Sequence, residues 1–264
     1  MLTPDYLVFL INYEFLLAIL VLFVSANFIW RFWKVRKIPL IYLALTFILF
    51  ALGVLFVALS HSDHVAIYPI LLRDYMINGY VLSFRIQGHL YSVFTDWVII
   101  IFQGWLRGTI YIFAFSVALA ELGNLFLFAF SLEAFLEKKK KWMILYSLIF
   151  APLFILTLVS FDVTLNFMLA MIIGLITYIP LIYLAVKAYR MTDQKVYRYG
   201  FLMIAMTSIF LSLFFVFLFI EGALTEGWSI FIPIGYTMGL LASISAYIGY
   251  VLPNWFRRLL GEKT

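Results

Sequence analysis

Long apolar runs separated by short polar turns make up this chain, and the runs have the length of membrane crossings. A bilayer core about 30 Å thick needs roughly 20 apolar residues per helix. Seven stretches meet that length: Tyr6–Trp30, Ile38–Ser60, Ile110–Leu136, Trp142–Phe161, Thr164–Ala188, Phe201–Ile220 and Trp228–Val251. Together they occupy most of the 264 residues and leave no room for a separate soluble domain. The pattern predicts an all-α membrane protein, a bundle of seven transmembrane helices over residues 1–252, followed by a short tail over 253–264. Met1–Asp5 holds no Lys or Arg. It lacks the basic start of a secretory signal, so the first span is expected to be retained.

One connection breaks the pattern. The segment His61–Thr109 is long and carries two turn signals, Asn78-Gly79 and Gln87-Gly88. Asn-Gly between apolar runs favours a hairpin, because a type I′ turn needs positive φ at both central residues. Leu82 to Ile86 alternates large apolar with polar residues, and His89 to Thr95 is again rich in β-formers. The expected structure is a two- or three-stranded meander over Ile70–Thr95, a small β-hairpin cap between helices two and three. Asp96–Leu106 reads as an interfacial or re-entrant helix. A rival arrangement makes Ala66–Phe84 and Ser92–Ile110 two further spans. It would place Arg73, Asp74 and Asn78 in the bilayer, at a cost of roughly several kcal/mol.

Composition and charge sharpen the class. Hydrophobic residues make up 66% of the chain and charged residues 12%, against about 25% charged in soluble domains, which excludes a water-soluble fold. A net charge of +5 invites a polyanion partner, but position overrides the sum. Fifteen of the 18 Lys and Arg fall in four clusters on one side: 31–37, 138–141, 187–198 and 257–263. The other side holds only Arg73, Arg85 and Arg107, with most of the acidic residues. The positive-inside rule then places the N-terminus outside and the C-terminus in the cytoplasm of a multi-pass cell-membrane protein. The charge records topology and attraction to membrane lipids, and no nucleic-acid partner is expected. None of the seven Trp residues falls mid-span: Trp30, Trp33, Trp142 and Trp255 lie at cytoplasmic ends and Trp97, Trp105 and Trp228 on the outer side, as headgroup-level residues should.

Few residues offer chemistry. His61, His64 and His89 all lie in the outer segment, near Asp63 and Asp96. Imidazoles with a carboxylate suit zinc or copper, and polar residues at a membrane surface are the plainer reading. Acidic residues inside spans are more diagnostic, because a carboxylate in hydrocarbon is costly and faces the bundle interior or a wet cavity. Glu121 lies mid-span with Asn124 one turn on and Gly123 allowing close helix approach; Glu14 lies in span one beside Asn12, with Asn27 deeper. These four, Glu121, Asn124, Glu14 and Asn12, are the candidate ligand- or ion-binding residues. An interhelical hydrogen bond worth about 0.6 kcal/mol is the structural alternative.

Pro152, Pro180 and Pro233 interrupt spans four, five and seven, where each can kink its helix. Gly235, Gly239, Ser243 and Gly249 follow a spacing near four that allows close packing. After Pro253, residues Trp255, Phe256, Leu259 and Leu260 are expected on one face of an amphipathic helix on the inner leaflet.

Several activities are struck off. Without cysteine there are no disulfides or thiolate metal sites. Span seven has no lysine for a retinal Schiff base, and no span holds a histidine for haem. GxSxG, HExxH and phosphate-loop motifs are absent from the sequence. No enzyme activity is expected and no cofactor beyond a metal at the outer histidines.

The tail Tyr247-Ile248-Gly249-Tyr250-Val251-Leu252-Pro253-Asn254-Trp255-Phe256-Arg257-Arg258, with the seven-span order, resembles the membrane sensor regions of prokaryotic, particularly archaeal, histidine kinases. In those proteins a Gly-aromatic-apolar-Pro-x-Trp stretch leads from the membrane into signalling domains. No kinase domain follows within these residues, so the resemblance implies a receptor- or sensor-like module that signals through a separate cytoplasmic partner. A small transporter or channel using the intramembrane carboxylates, and a non-catalytic scaffold subunit, are the alternatives.

Overall fold

The computed structural model describes residues 4–78, 85–86, 89–90, 112–136, 139–160, 163–224 and 230–262, with side chains over 9–58, 114–136, 140–160, 164–221 and 230–262. Within these residues the helices are α1 (Pro4–Val35), α2 (Ile38–Asn78), α3 (Ile112–Phe135), α4 (Lys139–Val159), α5 (Val163–Met191), α6 (Lys195–Leu224), α7 (Phe231–Val251) and the short α8 (Asn254–Leu259). Seven of them are long and apolar enough to cross a membrane. The chain is a multi-pass membrane protein built as a helical bundle.

The packing order explains what each helix can do. Neighbouring pairs α1–α2, α2–α3, α3–α5, α5–α6, α6–α7 and α7–α1 close a ring of six helices, while α4 lies outside it against α3 and α5. Among the described residues the main apolar core draws on every long helix except α4. Phe50 of α2 plugs the ring, edge-on to Phe214 of α6 at 4.8 Å between centroids and against Gly239 of α7. Helix α4 instead joins a satellite cluster, where Tyr146 stacks on Phe128 at 3.9 Å and Phe150 and Phe154 follow one turn apart.

Glycines set two close crossings. A Cβ on Gly123 would lie 3.0 Å from the Thr46 carbonyl oxygen, and Thr46 Oγ1 lies 3.2 Å from the Gly123 carbonyl oxygen as well as 2.8 Å from that of Tyr42. At the other crossing Gly200 of α6 and Gly249 of α7 face each other: a Cβ on Gly200 would lie 2.9 Å from the Gly249 carbonyl oxygen, and one on Gly249 2.8 Å from that of Gly200. The spaced glycines of α7 therefore serve different neighbours, Gly235 and Gly249 meeting α6 and Gly239 meeting α2.

Several expectations need correction. Helix α2 runs unbroken for 41 residues to Asn78, so Ile70–Asn78 is helix rather than a first strand, and no separate span begins at Ala66. What pairs as strand is a two-residue ladder across Gln87-Gly88, Arg85–Ile86 (β1) antiparallel to His89–Leu90 (β2). The rest of the expected meander, and Asp96–Leu106, lie outside the described residues. Pro152 and Pro180 are inside their helices. Pro233 is the third residue of α7, in a first turn whose N–H groups have no intrahelical acceptor, so it interrupts nothing. The apolar face of the tail is divided: Phe256 is buried beside Val196 and Leu252 with Leu260 packed on them, while Trp255 and Leu259 point away from the protein.

Candidate functional site

Two sites emerge, one inside the bundle and one at its basic end. The first centres on α3. Glu121 is completely enclosed and Asn124 nearly so, and their three-residue spacing puts them on one face. That face looks across to α4 and α5. Thr157 of α4 donates its hydroxyl to Glu121 Oε1 at 2.7 Å, and Tyr178 of α5 donates to Asn124 Oδ1 at 2.6 Å. Tyr146 of α4 and Thr177 of α5 share a third bond at 2.7 Å. Thr177 already donates to the Ile173 carbonyl, so the tyrosine is the donor. Three polar links thus join three helices around one enclosed carboxyl.

The cluster is incompletely matched. Glu121 Oε2 and Asn124 Nδ2 are buried without a hydrogen-bond partner among the described residues. One is an acceptor and the other a donor, on the same face of α3.

Glu14 belongs to a separate place. It is also fully enclosed, on the α1 face that meets α7, with Tyr236 within electrostatic range and Tyr13 hydrogen-bonded to Thr237 next door. Glu14 lies toward α7, whereas Glu121 is bonded to α4. Asn12 departs from expectation: it is exposed while Glu14 is buried, since residues two apart on a helix do not share a face. Asn27 donates to the Phe23 carbonyl at 2.8 Å within its own helix. The side chains of His61, His64 and His89 lie outside the described residues, and among those described no group of acidic or histidine side chains could hold a metal ion.

Comparison with protein-family models, with characterised proteins and with solved structures gives no match for this chain.

The second site is a cleft of about 450 Å³ at the end where α1, α3 and α7 finish and α2 and α6 begin. Arg31, Lys37, Arg257, Glu133 and Tyr197 supply its polar lining, and buried Leu40, Ile204 and Leu252 supply apolar surface. The turn between α7 and α8 shapes one wall. Leu252 takes a left-handed conformation with φ 50°, its N–H capping the Ile248 carbonyl at 3.1 Å, and Arg257 Nε donates to the Leu252 carbonyl at 3.0 Å. Arg36 at the end of α1 is left-handed too, its N–H bonded to the Phe32 carbonyl at 2.7 Å. Both helices end in the cap that usually employs glycine.

Sequence reading singled out Glu121 and Asn124 but missed Thr157, Tyr146, Thr177 and Tyr178. Threonine and tyrosine are ordinary in membrane helices, and nothing local tells which of them will face a carboxyl on another helix. The cleft was missed because its cations were counted as topology signals.

Proposed function

We propose that this protein is a seven-span receptor- or sensor-like module of the cell membrane in which α4 is the responsive element. The observation that carries the reading is the bond from Thr157 to Glu121, placed near one end of a helix that stands outside the main core. A group entering from the outer side that claims Glu121 or Asn124 competes with an α4 or α5 contact. Loosening that contact shifts the helix as a body. At about 1.5 Å per residue, the basic start of α4 at Lys139–Lys141 lies roughly 25 Å from Thr157, so a change at one end is delivered to the other.

This reading takes the N-terminus as outside and the four basic clusters as cytoplasmic, where a separate partner meets them. The long segment after α2, with its two-residue ladder, then lies on the outer side as a small β-hairpin cap. The transporter alternative gains less support, because Glu14 lies toward Tyr236 of α7 while Glu121 is bonded to Thr157 of α4.

The absence of native cysteine makes the test direct. A spin-label pair at Lys140→Cys and Lys195→Cys reports α4 against α6 in reconstituted protein. In Glu121→Ala and Thr157→Val the distance distribution should move or broaden relative to the parent. An unchanged distribution in both would sink the reading. Accessibility of Lys140→Cys to an impermeant maleimide only from the cytoplasmic side would support the orientation, and labelling only from outside would reverse it.

A further inference from the structure

We infer that the cleft at the basic end is a binding site for the phosphate headgroup of an anionic phospholipid. Among the described residues three cations, Arg31, Lys37 and Arg257, line it against one carboxylate, Glu133. Arg257 is held at the rim by the Leu252 carbonyl, with Glu262 Oε2 3.9 Å from its Nε and offsetting part of its charge. Among the described residues the cleft therefore keeps a positive balance after both carboxylates are counted. Tyr197 adds a hydroxyl to the lining. Charge alone would fit any anion, but the lining also carries open apolar surface at Val35, which is 43% exposed, and at half-buried Phe135 and Phe201. An amphiphile satisfies both halves at once; a free phosphate leaves the apolar half bare.

The surroundings favour lipid over an acidic peptide. Trp30 and Trp33 lie in the last turns of α1 with Arg31, and Trp255 lies in α8 with Arg257; all three are more than half exposed, as aromatic side chains at the headgroup level are. Lys34 lies over Trp30 at 3.7 Å and Arg36 over Trp33 at 4.8 Å from the ring centre. Those two cations are thus engaged with the aromatic belt, while Arg31 and Lys37 line the cleft. In α8, Phe256 is buried while Trp255 is 56% exposed.

Native mass spectrometry of the full chain, released from nanodiscs holding equal phosphatidylglycerol and phosphatidylcholine, tests the assignment. The parent should retain phosphatidylglycerol in preference to phosphatidylcholine. Arg31→Gln/Lys37→Gln should reduce that preference about tenfold or more, given the usual contribution of each cation at an anionic lipid surface. Lys34→Gln/Arg36→Gln removes equal charge nearby and should leave it largely intact. Ala134→Glu adds a carboxylate at an exposed cleft position without deleting any contact, and should match the first pair even if that pair folds poorly. Equal losses in the two double variants would overturn the site in favour of diffuse surface attraction. So would an unchanged preference in Ala134→Glu. Displacement of the lipid by millimolar inorganic phosphate, or by an acidic peptide with no lipid preference remaining, would also overturn it.

Discussion

Thr157 and Glu121 meet across the α3–α4 contact at 2.7 Å, and the other carboxyl oxygen of Glu121 has no partner among the described residues. The threonine is therefore a principal polar support of a fully enclosed carboxyl. Thr157→Val keeps the side-chain shape and removes the donor. It should cost about 1–3 kcal/mol, the usual penalty for stranding a buried acceptor. Glu121→Gln keeps an accepting oxygen and should cost less. Unfolding by steric trapping in bicelles measures both, and equal losses would show that the bond does not support the carboxyl.

Asn124 and Tyr178 form the matching link to α5 at 2.6 Å. A double-mutant cycle with Asn124→Leu and Tyr178→Phe should give a coupling energy of about 0.6–1.7 kcal/mol, the range for interhelical hydrogen bonds in membranes. Strict additivity of the two single variants would mean the pair contributes nothing beyond packing.

Gly200 and Gly249 allow α6 and α7 to touch through their backbones beside the cleft. A Cβ at Gly249 would stand 2.8 Å from the Gly200 carbonyl oxygen and 3.0 Å from the Ile204 nitrogen. Gly249→Ala must push the helices apart, at about 1–3 kcal/mol for an overpacked contact. Distances between spin labels on α6 and α7 should lengthen at this end, and a parent-like distance with parent-like stability would contradict the tight crossing.

Leu252 sets two effects against each other. Its left-handed backbone strains a branched side chain by about 1–2 kcal/mol, which glycine would relieve. Its side chain is 7% exposed and packed with Val196 and Phe256, and deleting such a side chain costs about 2–5 kcal/mol. Leu252→Gly should therefore lower the thermal midpoint in detergent rather than raise it. A more stable variant would show that strain at the cap outweighs the packing of α8.

Much of the fold was legible before any coordinates. The seven apolar runs became seven long helices because a span must satisfy all its backbone groups internally, and sustained hydrophobicity marks where that is required. The boundary errors have local causes. Asn78-Gly79 reads as a hairpin turn, yet α2 continues to that point. Trp255 and Leu259 look like the same apolar face as Phe256 and Leu260, but only the latter pair meets the bundle. At a membrane surface, apolar residues have two destinations, protein and lipid, and composition does not separate them.

The sequence by itself determined the class, the number of long apolar helices, the charge asymmetry along the chain and two of the enclosed carboxyl residues, Glu14 and Glu121. Each follows from the cost of placing polar groups in hydrocarbon, which acts on every residue regardless of its neighbours. The tertiary structure alone decided that α4 stands outside the ring, that Thr157 and Tyr178 are the partners of Glu121 and Asn124, and that Arg31, Lys37 and Arg257 line one cleft. Those facts depend on which helix faces join. In a chain whose helices are apolar nearly all round, no hydrophobic stripe announces that choice, and packing shape and a few interhelical hydrogen bonds make it.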